Sequence, residues 1–181
     1  MGRPLGCFLI LLASLEASPL QAERLSDALS QQQQINIEFD WKHRNTGDEL
    51  DPREFNAVIA HARNVDTRLD TSEFVDTQAR IFLELPIQVR GLNNSQRLSV
   101  SWTTNGLFQD GEVTPGNRRL IFEGRITQPV MRDILNFTFE ADARFLTELL
   151  RLEPVYEIEI ISPGHSVADA CTADRSANGH R

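Results

Sequence analysis

The stretch Ala79–Val89, ARIFLELPIQV, constrains this chain more than any other. Ile81, Leu83, Leu85, Ile87 and Val89 fall on every second position, with Arg80, Glu84 and Gln88 between them. A period of two puts the aliphatic side chains on one face of an extended strand. One buried face and one wet face are the mark of an antiparallel sheet. Pro86 lies in the polar phase and cannot donate to a ladder, so the stretch is expected at a sheet edge or kinked between sheets. As an edge it offers a place for another chain to pair, guarded by Arg80, Glu84 and Pro86.

The same alternation recurs along the chain. Ile35, Ile37, Phe39 and Trp41 alternate with Asn36, Glu38 and Asp40. Leu98, Val100 and Trp102 form a third case, Leu135, Phe137, Phe139 and Ala141 a fourth, and Tyr156, Ile158 and Ile160 the last. Arg119–Thr127 carries Leu120, Phe122 and Ile126, with Gly124 as a candidate bulge. Asn105-Gly106 is a two-residue hairpin signal.

Two segments read as helical. Asp51, Pro52 and Glu54 have the chemistry of a helix start, and Phe55, Val58, Ile59 and Ala62 repeat at helical spacing. The expectation is a short helix over 52–63 followed by a strand over 65–70. One long strand over Asn56–Leu69 is the alternative, because short apolar runs fit both periods. Phe145, Leu146, Leu149 and Leu150 group as a second helix face ended by Pro154.

About seven strands at close spacing predict a mainly β fold, an antiparallel, two-layer, immunoglobulin-like sandwich with one or two short helices. A partly open β-barrel is the alternative. The domain is expected over 35–161. Ahead of it, Arg3, the uncharged apolar run Cys7–Leu15 and small residues at Ala17 and Ala22 have the layout of a secretory signal peptide over 1–22. Residues 23–34, ending in four glutamines, read as a polar leader. Residues 162–181 have almost no bulky apolar side chain and are expected to be a disordered tail. After removal of the signal no segment has the ~20 apolar residues of a membrane helix.

The chain carries a net charge of −8, which argues against a nucleic-acid backbone as partner. Cys171 is the sole cysteine beyond the signal, so the exported chain has no internal disulfide to form. No nucleophile elbow, P-loop, dinucleotide glycine pattern or zinc-protease helix motif occurs. His43 and His61 flank an acidic loop holding Asp48, Glu49, Asp51 and Glu54, but the spacing matches no calcium loop. No cofactor, metal or catalytic set is therefore assigned. Glu84, Glu157 and Glu159 point outward on their strands and make an acidic stripe only if those strands are neighbours.

The expected function is an exported, non-catalytic protein, periplasmic or secreted, that binds a protein partner or self-associates in an envelope or surface assembly. Its candidate interface comprises Ile35, Ile37, Phe39 and Trp41 with Arg80, Glu84 and Pro86. A carbohydrate- or small-ligand-binding module is the alternative and makes Trp102 the stacking residue. A hydrolase with an acidic pair stands third.

Overall fold

The computed structural model describes residues 22–30, 35–43, 47, 49–51 and 53–161. The segment read as signal peptide up to residue 21, the glutamine run 31–34 and the tail from 162 onward lie outside them. The described residues are mainly β, with three antiparallel sheets that do not close into a barrel. In chain order the strands are β1 (Ala22–Leu25), β2 (Ile35–Ile37), β3 (Asp40–Trp41), β4 (Ala57–Asp70), β5 (Gln78–Glu84) and β6 (Arg90–Leu92). Then come β7 (Leu98–Thr103), β8 (Gly111–Val113), β9 (Arg118–Arg125), β10 (Val130–Asp142), β11 (Leu146–Leu152) and β12 (Val155–Ile160). One sheet has the order β1-β12-β5-β9, the second β3-β4-β10-β7-β8, and the third β2-β11-β6. These are twelve strands among the described residues, against about seven expected. No helix among them is long and apolar enough to cross a membrane.

The buried faces meet in one core. Ala79, Ile81, Leu83 and Leu85 from β5 and the residue after it join Leu135, Phe137, Phe139 and Ala141 of β10 and Leu98, Val100 and Trp102 of β7. Each repeats at period two, which is why these strands could be read from the sequence. A hydrogen bond between the Thr67 and Tyr156 hydroxyls ties β12 to β4, and burial raises the Tyr156 pKa well above its ordinary value. Near the other edge, Gln109 N–H donates to Ile121 O at 2.7 Å, so the loop between β7 and β8 covers part of the outer side of β9.

The expected helix over 52–63 is not formed; β4 runs unbroken from Ala57 to Asp70. Its pairing with β10 moves from Leu135↔Val65 to Phe137↔Ala62, so Arg63 and Asn64 together face Asn136. Asn64 sits at φ 57°, and its N–H donates to the Asn136 side-chain oxygen at 3.0 Å. This is a β-bulge, and it flips the side-chain phase. Val58 and Ala60 are buried before it and Val65, Thr67 and Leu69 after it. Phe55, Val58, Ile59 and Ala62, whose spacing reads as helical, all precede the bulge, and only Val58 among them is buried. Asp51 still accepts from the Arg53 N–H at 2.8 Å, but in a turn rather than a helix cap.

The second expected helix is also replaced. Only Ala143–Phe145 is helical, as a single 3-10 turn, and β11 follows with Leu150 and Leu152 buried and Leu149 exposed. The opening stretch is not an edge strand. β5 is paired with β12 on one side and β9 on the other, and Pro86 lies beyond its end. Ile87, in the apolar phase, is 75 % exposed because the ladder has already stopped. The bulge of β9 falls at Ile121 rather than Gly124, since Ile81 faces Phe122 while Phe82 faces Leu120. Ile121 is therefore buried and Leu120 only half-buried, reversing the expected phase. Ala22–Leu25, most of it read as polar leader, pairs with β12. The Asn105-Gly106 signal lies within a longer loop, from Thr104 to Asp110, that joins β7 to β8.

Candidate functional site

The segment Ile35–Trp41 is divided between two sheets. Ile35 and Ile37 are buried, and β2 pairs with β11 of the same chain. Asp40 and Trp41 pair with Ile59 and Val58 of β4. Phe39 and Trp41 are partly buried against the core. Both pieces hold the outermost position of their sheets, β2 in one and β3 in the other, while Asn36 and Glu38 stay exposed.

The outward face of the four-stranded sheet brings together the acidic residues. β5 and β12 are neighbours, and their register places Glu157 opposite Phe82 and Glu159 opposite Arg80. Arg118 of β9 stands opposite Glu84. Its guanidinium does not stay there. It passes over the Phe82 ring, 4.3 Å from the centroid, and reaches Glu157 at 3.2 Å and Glu159 at 2.7 Å. Arg80 pairs with Glu123 at 3.0 Å. Arg24 of β1 stands opposite Glu157 in the ladder. Arg80 and Glu84 are thus members of an ordered ionic lattice on a sheet face.

This lattice is not arranged as a hydrolytic site. Glycosidases need two carboxyl groups roughly 5 Å or more apart, with room between them for a sugar. Glu84 instead shares a hydrogen bond with Glu157 directly. A cavity of about 430 Å³ touches Arg118 but is otherwise lined by Glu112, Val113, Thr114, Asn117 and Arg119. Another, of about 540 Å³, lies beside β6 and is lined by Gln88, Arg90, Asn93, Ser95 and Thr147 among others.

Trp102 is 2 % exposed and its indole N–H donates to Gln109 O at 2.9 Å. Phe137 packs against it at 6.3 Å between centroids. No ring face is left for a sugar. In a Trp41→Phe variant the remaining Trp102 emission is expected to be blue-shifted and nearly insensitive to acrylamide; quenching comparable to free tryptophan contradicts this placement.

His61 is exposed, with Nδ1 3.1 Å from the Thr138 hydroxyl, and His43 is exposed on the opposite flank of the acidic loop. Asp48 lies outside the described residues. Among those described, no group of three or more His, Cys, Asp or Glu side chains is placed to hold a metal ion. The adjacency of Glu84 to Glu157 is the feature that alternation could not supply, because it depends on which strands pair. No protein-family model, curated protein or solved structure matches this chain.

Proposed function

We propose that the chain is an exported, non-catalytic β-sandwich protein that works by binding a protein partner or by assembly at the cell envelope or surface. Export is supported by the order of charge, apolar core and small residues over 1–22. The observation that carries the binding reading is the double edge formed by Ile35–Trp41. One short segment supplies the outer strand of two sheets, and on its outward side no strand pairs with it among the described residues. Open edges recruit extended segments by strand addition, with main-chain bonds giving affinity. The edge of β9, by contrast, is partly covered by its bond from Gln109.

The test is a photo-crosslinking residue at Asn36, with a control at Thr147, both exposed. Material is taken from the native compartment, alongside light scattering on the purified chain. A specific adduct at Asn36 alone, with a partner or a second copy, is the expected result. A monodisperse monomer with no adduct in either position overturns the reading, and a cytosolic location overturns export. A small-ligand module is the second reading, favoured by the amide, hydroxyl and guanidinium lining of the cavity beside β6. An unchanged melting temperature with neutral oligosaccharides removes it.

A further inference from the structure

We infer that Glu84, Glu157, Glu159 and Arg118 form a pH-responsive clasp across β12, β5 and β9, tight when Glu84 is protonated and loosened when it ionises. The geometry is one of cations already engaged beside Glu84. Arg118 bonds Glu157 and Glu159, Arg80 bonds Glu123, and Arg24 stands opposite Glu157 in the ladder. Glu84 is opposite Arg118 in register, yet it shares a hydrogen bond with the Glu157 carboxyl group on the neighbouring strand. Two carboxylates can share a hydrogen bond only while one keeps its proton.

The groups facing Glu84 come from every strand of this sheet. β12 contributes Glu157, with Glu159 two positions further; β9 contributes Arg118; β1 contributes Arg24. Burial raises the Glu84 pKa above its ordinary 4.5, and the hydrogen bond and charge of Glu157 push it the same way. Arg118 and Arg24 oppose the shift without cancelling it. A group whose folded pKa is raised contributes its stability fully below the unfolded value. That contribution is lost as pH rises through the folded value. Acid therefore strengthens the clasp, and neutral or alkaline solution weakens it.

Glu84→Gln keeps the shape and a donor for Glu157 but cannot ionise. Urea unfolding of the full chain is expected to show a higher midpoint for the variant than for wild type at pH 8. The difference should vanish below about pH 4, where the wild-type carboxyl is already protonated. Carbon NMR of the Glu84 carboxyl gives an independent readout. It should titrate above 4.5 in wild type, shift lower in Glu157→Gln and shift higher in Arg118→Leu. A Glu84→Gln midpoint equal to or below wild type at pH 8, or a Glu84 titration that ignores Glu157→Gln, overturns the inference.

Discussion

Asp142→Ala is expected to lower the unfolding free energy by roughly 2–4 kcal/mol at neutral pH. Asp142 closes β10 and is fully buried, an unusual place for a carboxylate. Arg144 surrounds it, with its backbone N–H at 3.2 Å, Nε at 3.0 Å and Nη2 at 2.5 Å. Just beyond, the Ala143 N–H donates to Asn56 O at 2.9 Å. The buried Asn56 side chain in turn takes the Asp51 N–H at 3.0 Å and donates to Asp51 O and Glu54 O. One carboxylate thus fixes the junction where β10 ends, β11 begins and β4 sets out. Breaking a fully buried ion pair costs about 3–5 kcal/mol. Arg144 retains 22 % side-chain exposure, so water can take part of the carboxylate's place and the lower figure applies.

The pH dependence separates the ion pair from the cavity. The hydrogen bonds from Arg144 hold the Asp142 carboxyl below its ordinary 3.8, against the effect of burial. A depressed folded pKa gives stability that is present above the unfolded value and lost as pH falls through the folded one. The gap between wild type and Asp142→Ala should therefore narrow when urea unfolding is repeated below about pH 4. A gap of constant size assigns the loss to packing alone.

Much of this architecture is legible in the residues, and the failures have a common cause. Leu98–Trp102, Leu135–Ala141 and Tyr156–Ile158 alternate without interruption, and their buried faces are the ones the period assigns. β4 misleads because apolar residues also fall outside its buried phase: Phe55 is exposed just ahead of it and Ile59 is only half-buried beside the buried Val58, so their spacing looks like 3.6. β11 misleads similarly: Leu149 falls on its outward phase and is exposed, beside Leu150 and Leu152 on the buried phase, so apolar residues occupy both faces. Alternation is a local property and bulges interrupt it. Strand order is not local at all. The outward direction of Glu84, Glu157 and Glu159 could be read from each strand, but the clasp exists only because β5 and β12 pair. Pro86 likewise marked Ala79–Val89 as an edge, whereas β5 within it is an interior strand and Pro86 lies past its end.

Gly91→Ala should be among the most damaging single-methyl additions, at roughly 3–5 kcal/mol. Gly91 holds φ +93°, a conformation L side chains rarely adopt. A Cβ there lies 2.8 Å from Leu149 O and 2.9 Å from Leu150 Cα. Both are backbone atoms, so no side chain can swing aside, and β11 itself must move. β11 carries β2 on its other side, through Leu150↔Ile37 and Leu152↔Ile35. Displacing it loosens the strand that the binding reading depends on, while β4 and β10 keep their long ladder. Hydrogen exchange should accordingly quicken in β2 and β11 and stay slow in β10. If strand addition at β2 is the mode of binding, the Asn36 adduct should weaken in the same variant, because the receiving edge is no longer held in register. Unchanged protection at Ile35–Ile37 in Gly91→Ala would show that β2 is anchored by its burial and not by its pairing with β11.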